Sequence, residues 1–185
     1  MDVLNEVQTA SRHIYRGKII DVYRDEIRLP DGSAGAREYI RHIGAACVVP
    51  VTASGEVLMV RQFRYPFHRV LLEVPAGKLD KKDEAPLTAA KRELREETGA
   101  SASEWIYMGE FYPTCAYSDE IIHMYLALGL TSGVSDPDAD EFIETEPIPF
   151  TQLIREINAG NIRDGKTQTA LLKAYYILNE RGLLK

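Results

Sequence analysis

Four charged residues crowd the end of one segment of this 185-residue chain, Arg92, Glu93, Glu96 and Glu97, and Gly99 closes the run. At helical spacing Glu93 and Glu97 stand one turn apart with Glu96 beside them. Three carboxylates then share one arc of surface, and Leu87, Ala90 and Leu94 form the adjoining apolar stripe. Each like-charged pair at that spacing repels by roughly a few tenths of a kcal/mol. Arg92 can offset part of this by reaching Glu96, but a net negative face is left. Such a face is either a solvated acidic surface or a site for a hard divalent cation that prefers oxygen ligands, Mg2+ above all.

A cation site needs elements that hold it, and the flanking residues supply them. Val74-Pro75-Ala76-Gly77 reads as an apolar strand end running into a glycine suited to a tight turn. A charged loop follows, with Asp83 as the expected helix N-cap and Pro86 in the first helical turn. Gly99 offers the left-handed stop just past the last carboxylate. The unit is strand, glycine loop, helix.

This arrangement resembles the Nudix box, whose pattern is Gly-x5-Glu-x7-Arg-Glu-apolar-x-Glu-Glu-x-Gly-apolar. Counting back from Arg92 to Gly99 puts the first glutamate of the pattern at Glu84. Gly77 lies one residue farther upstream than the pattern asks, within a polar loop where an insertion costs little, and Ala100 stands at the final apolar position. The resemblance implies an α+β fold, a Nudix-type α/β/α sandwich with a mixed β-sheet. It also implies metal ligation by Glu93, Glu96 and Glu97 with the Ala76 carbonyl, and box support from Gly77, Glu84 and Gly99. Glu96 and Arg92 would assist catalysis, Arg92 by orienting the glutamates.

Outside the box, residues 60–66 followed by residues 72–77 are similar to the ADP-ribose pyrophosphatase subgroup, and that likeness runs over about residues 15–180. By that resemblance Arg64 contacts a substrate phosphate, as suits a fixed fork of donors. Arg61 is equally a substrate contact or a surface charge on an edge strand. Residues 111–120 resemble the subgroup loop, with Cys115-Ala116 where relatives commonly have Pro-Gly, and Glu120 matches a substrate-contacting glutamate. The acidic loop 136–144 is where relatives draw their catalytic base. Glu141 aligns best and Asp140 is the close alternative. The subgroup's N-terminal strands pack or exchange across a dimer and carry an aromatic that stacks on adenine, for which Tyr39 is the candidate; a tyrosine packed on its strand neighbours is the competing reading.

Composition bounds the rest. With 45% apolar residues the chain can bury a full core as one domain. Cys47 and Cys115 are too few for a disulfide framework and lack metal-site spacing, which suits a reducing, cytoplasmic setting. The chain shows no secretion signal or transmembrane run, and a net charge of −6 argues against broad nucleic-acid binding. His13, His42, His68 and His123 show no ligand or triad context.

Strand patterns are expected at residues 18–23, 26–29, 37–42, 45–51, 57–64, 71–74, 105–111, 121–128 and 142–148, and helices at 150–159 and 166–181. The division expected is a dimerising N-terminal β extension over residues 1–44, antiparallel in form, and a Nudix domain over residues 45–185. The function expected is Mg2+-dependent hydrolysis, with Mn2+ as the alternative ion, of a nucleoside diphosphate derivative, foremost ADP-ribose to AMP and ribose 5-phosphate. The rivals are a nucleotide-sugar or modified-nucleotide pyrophosphatase of the same family, and a catalytically silent nucleotide-sensing domain. The protein would be a homodimer acting on a small molecule, with neither nucleic acid nor membrane as partner.

Overall fold

The computed structural model of the chain describes residues 3–136 and 141–184. Two compact units form, one from the residues up to Ile43 together with Tyr112–Ile121, the other from Gly44–Phe111 and the residues from Ile122 onward.

The first unit is a three-stranded antiparallel sheet in the order β1 (Val7–Arg16), β2 (Asp21–Arg28), β3 (Ala34–Arg41). All ten residues of β1 are exposed, so the strand carries no buried-face alternation and no sequence pattern announces it. The two short strands expected at residues 18–23 and 26–29 are one strand, β2, preceded by a turn in which Gly17 N–H donates to the Ile20 carbonyl at 2.9 Å. The segment Tyr112–Ile121 returns to this sheet. Ile40 N–H donates to the Tyr117 carbonyl at 2.8 Å, and His42 N–H donates to the Asp119 carboxylate at 2.7 Å.

The second unit is built from β4 (Ala45–Pro50), β5 (Glu56–Arg64), β6 (Arg69–Glu73), β7 (Ala76–Lys78), α1 (Pro86–Thr98), β8 (Ser101–Phe111), β9 (Ile122–Thr131), β10 (Ile143–Pro149), α2 (Phe150–Asn158) and α3 (Gly165–Glu180). Its sheets run β7-β4-β9-β8 and β10-β5-β6; the four-stranded one is mixed, because β4 and β9 pair in parallel, and the other pairs are antiparallel. The fold is α+β.

β4 shows why the unit is layered. Every residue of it is buried, and its side chains alternate between two cores. Ala45, Cys47 and Val49 pack with Phe150, Leu153, Leu171 and Leu178 of α2 and α3, whereas Ala46 and Val48 pack with Ala89, Ala90 and Leu94 of α1. The apolar stripe of α1 is therefore spent against the sheet, which turns its acidic arc toward the ends of β7 and β10. Among the described residues, no helix is long and apolar enough to cross a membrane.

Candidate active site

Pro86 opens α1 at its first position, where the amide it lacks would have had no helical partner, and Gly99 ends it in the left-handed region at φ 72°. The N-cap is Ala85 rather than the expected Asp83, without a side-chain cap. Proline at the first position already presets the entry, and the acidic side chain that matters in this loop is that of Glu84. Its Oε2 accepts from the Asp80 amide at 2.7 Å and lies 3.6 Å from the Arg92 guanidinium.

Gly77 also differs from expectation. It lies in β7 opposite Ala46, with no positive φ, so it makes no tight turn. Space is what demands glycine here: a Cβ at this position would fall 2.0 Å from Glu93 Oε1. Gly77 is the gap into which the Glu93 carboxylate fits.

Arg92 organises the surroundings. Its Nη1 donates to Glu93 Oε1 at 2.7 Å and to Glu96 Oε2 at 3.2 Å, its Nη2 donates to the Lys78 carbonyl at 2.9 Å, and its Nε lies 3.2 Å from Asp80. Glu96 is also held by Arg95 at 2.9 Å. Glu97 lies deeper, 5% exposed, and its Oε2 accepts from the Ala76 amide at 3.1 Å. Glu93, Glu96, Glu97, Ala76, Gly77, Glu84 and Arg92 are thus brought together at one end of α1.

Electrostatics separate these acids. Burial pushes the Glu93 carboxyl up to about 7; the Glu96 and Glu141 charges add to it, and Arg92 only partly offsets them. Burial likewise pushes Glu97 up to about 8, reinforced by Glu93 and Glu141 and opposed by the Ala76 amide. The pocket is short of positive charge. Among the described residues no three His, Cys, Asp or Glu side chains are gathered closely enough to ligate one ion as they stand, since Arg92 draws Glu93 and Glu96 to itself. The chemistry nevertheless fits a hard divalent cation: the donors are carboxylate oxygens, and two of them are buried without full compensation.

Asp136 and Thr145, on either side of Glu141 in sequence, are anchored on α1. Asp136 N–H donates to the Glu96 carbonyl at 2.9 Å, Thr145 Oγ1 donates to the Glu97 carbonyl at 3.1 Å, and Gly99 and Gly133 approach so closely that a Cβ on either would meet the other's carbonyl oxygen within 2.7 Å. Glu141 is half-buried, and its charge is felt at both Glu93 and Glu97. Asp140, the alternative base, lies outside the described residues.

Arg64 is bound by a residue that the sequence reading passed over. Its Nε and Nη2 donate to the two oxygens of Glu73 at 2.7 and 2.8 Å, which leaves Nη1 as the donor a ligand could meet. Glu73 is 1% exposed and also receives the Lys166 ammonium. A glutamate inside the apolar run Leu71-Leu72-Glu73-Val74 was the available signal, because acids are seldom fully buried unless paired. Asp164 completes the group, capping α3 at Thr167 N–H (2.9 Å) and pairing with Lys166 (2.9 Å).

The remaining candidates have local partners. Arg61 pairs on the surface with Glu146 at 2.7 Å. Tyr39 belongs to the first unit, donating to Asp25 at 3.0 Å, accepting from Arg41 at 3.1 Å and stacking on Tyr23. Glu120, in the same unit, lies 3.5 Å from His42 Nδ1.

Known proteins resemble the chain over most of its length. Residues 41–168 match the NUDIX domain, and residues 7–40 match the nucleoside diphosphate sugar hydrolase N-terminal domain. The chain is 38% identical to the ADP-ribose pyrophosphatase of Bacillus subtilis (strain 168) over 173 residues, 92% of this chain and 93% of that one. It is 33% identical to the methanol dehydrogenase activator of Bacillus methanolicus over 171 residues, 91% and 92% of the two chains. A crystal structure of an ADP compounds hydrolase shares the fold with a TM-score of 0.85 at 17% identity, covering 96% of both chains. Matched across two thirds of its length by the NUDIX domain and across nearly all of it by a relative 38% identical, the chain belongs to the Nudix family.

Proposed function

We propose that this Nudix pyrophosphatase hydrolyses ADP-ribose to AMP and ribose 5-phosphate with Mg2+ as cofactor and Mn2+ as the alternative ion. The observation that carries this reading is the pair Glu93 and Glu97, buried at the end of α1 and short of compensating charge. The 38% identity to an ADP-ribose pyrophosphatase over nearly the whole chain supports the choice of substrate.

In this reading Glu93, Glu96 and Glu97, with the Ala76 carbonyl, hold the cation. Held there, such a cation would supply Lewis acidity and offset charge on the diphosphate. Arg92 keeps the Glu93 and Glu96 carboxylates oriented through the contacts at 2.7 and 3.2 Å. Glu141 accepts the proton of the attacking water at its carboxylate. The water oxygen bonds to one phosphorus as the bridging P–O bond breaks, so one water is consumed and two phosphomonoesters leave. Arg64 presents Nη1 to a phosphate oxygen. Glu120 is kept as a substrate contact. Tyr39 would offer adenine a ring face, and Arg61, paired with Glu146, is read as a surface charge.

Residues 1–44 are read as a dimerising extension and residues 45–185 as the Nudix domain of a cytoplasmic homodimer. The likeness to the subgroup supports the dimer, and two free cysteines with no disulfide support a reducing compartment. A net charge of −6 supports a small anion, held through metal, over nucleic acid. A nucleotide sugar is the second reading, favoured by the match of residues 7–40 and by Cys115-Ala116 in the specificity loop.

The test is incubation with ADP-ribose, nucleotide sugars and modified nucleoside triphosphates, each with Mg2+, Mn2+ or EDTA. Equimolar AMP and ribose 5-phosphate, formed fastest from ADP-ribose and abolished by EDTA, are expected. Preference for a nucleotide sugar would establish the second reading, and inertness toward every compound would remove both.

A further inference from the structure

The second unit contains a buried charge group that the hydrolysis as described leaves unused. Lys166, at the second residue of α3, sits between Glu73 and Asp164, with 2.9 Å to the latter. Glu73 grips Arg64 through both oxygens, and Lys166 binds Oε2, the oxygen that also receives Arg64 Nη2. Next to it, Thr167 Oγ1 donates to Asp164 at 2.6 Å and accepts from the Val74 amide at 3.0 Å. Val74 stands two residues before Ala76, whose amide meets Glu97. One helix start therefore touches both the clasp on Arg64 and the link between β6 and β7 that leads to Ala76.

We infer that Lys166 is a positioning residue for substrate phosphate: it holds the Glu73 carboxylate so that the Arg64 fork is turned with Nη1 toward the diphosphate. The inference rests on the proposed function, because it needs a phosphate at Arg64.

Geometry distinguishes this from simple charge pairing. An arginine bound by a mobile carboxylate would sample many orientations, since both partners have long rotatable stems. Glu73 cannot wander, for it is 1% exposed and is held from a second side by an ammonium fixed to the start of α3. Two positive and two negative groups meet there, Arg64 and Lys166 against Glu73 and Asp164, so the cluster is neutral and places no demand on an outside ion. Burial opposes the Lys166 charge, but Glu73 and Asp164 outweigh it and keep the ammonium protonated.

The test compares Lys166→Met, Lys166→Arg, Glu73→Gln, Arg64→Ala and the double variant Lys166→Met/Arg64→Ala in the full chain. Turnover of ADP-ribose with Mg2+ is measured first, then ADP-ribose affinity by calorimetry in EDTA, where turnover stops. Lys166→Met is expected to raise KM and the EDTA Kd about tenfold with kcat within about twofold. Lys166→Arg should recover most of that loss. In the Arg64→Ala background the Lys166 change should add nothing, because its effect passes through Arg64. Should Lys166→Met fail to fold, Glu73→Gln reads the same chain of contacts and must show the same dependence on Arg64.

Additive losses in the double variant, or an unchanged Kd in Lys166→Met and Glu73→Gln, would overturn the inference. Wild-type turnover without the Kd effect defeats the inference alone. The Kd effect without turnover defeats the proposed activity alone.

Discussion

Glu73 and Glu97 are buried almost equally, 1% and 5% exposed, yet their acidities end far apart. At Glu73 burial pushes the carboxyl up, and the Arg64 hydrogen bonds and the Lys166 charge more than reverse it, to about 2. At Glu97 burial is joined by the Glu93 and Glu141 charges, and the Ala76 amide with the Lys166 charge cannot offset them, so the value ends at about 8. The first acid has its cations built into the chain. The second has no cation in direct contact, Lys166 acting on it only through its charge, and a buried anion so weakly compensated is costly unless something arrives to neutralise it. The difference teaches that burial alone does not mark a functional acid, whereas burial with a deficit of positive charge does.

Glu97→Gln is the sharpest way to break the comparison. Turnover should fall by about a thousandfold or more, while the thermal midpoint without metal, taken above pH 8 where the Glu97 carboxyl ionises, holds or rises, since a buried charge is removed. Wild-type kcat in this variant would end the metal reading. Gly77→Ala should come next, with kcat/KM lower by about a hundredfold, because the new methyl occupies the Glu93 carboxylate position 2.0 Å away. A loss of stability with unchanged kcat/KM would mean that Glu93 had found another place.

Glu73 should instead report through stability. Its folded pKa lies below the ordinary 4.5, so its contribution is full above about pH 4.5 and is lost as pH falls toward 2. A shift of that size corresponds to about 3 kcal/mol. Chemical denaturation between pH 6 and 2.5 should show this acid limb in the wild type, and Glu73→Ala should flatten it while lowering stability near neutral pH by a similar amount. An unaltered limb would show that other carboxylates set it. The smallest effect is expected for Arg61→Ala, which removes an exposed pair with Glu146: less than about 1 kcal/mol by thermal melting, and KM within about twofold. A large rise in KM would move Arg61 from surface charge to substrate contact.

The box helix could be read in the sequence because its signals are local: proline at the start, glycine in the left-handed stop, and apolar residues at helical spacing. The same holds for β4, β5, β9, β10, α2 and α3, whose ends shift by no more than three residues from the patterns. β1 could not be read, being exposed along its whole length. Gly77 was legible as a residue but not in its reason, since a glycine in sequence does not say whether backbone freedom or space is required. The Glu73 and Lys166 contact spans 93 positions. No short-range pattern encodes such a meeting, which exists only after α3 has packed against the sheet. The arginine web around Lys78 and Asp80 was hidden for a related reason, because one of its acceptors is a backbone carbonyl and has no sequence signature.

Cys47 lies wholly inside β4 between core side chains, and burial pushes its thiol up to about 12, whereas Cys115 is exposed. Alkylating reagents attack thiolates they can reach. A maleimide dye added to the native protein should therefore attach at a single place, Cys115, without any engineering of the chain.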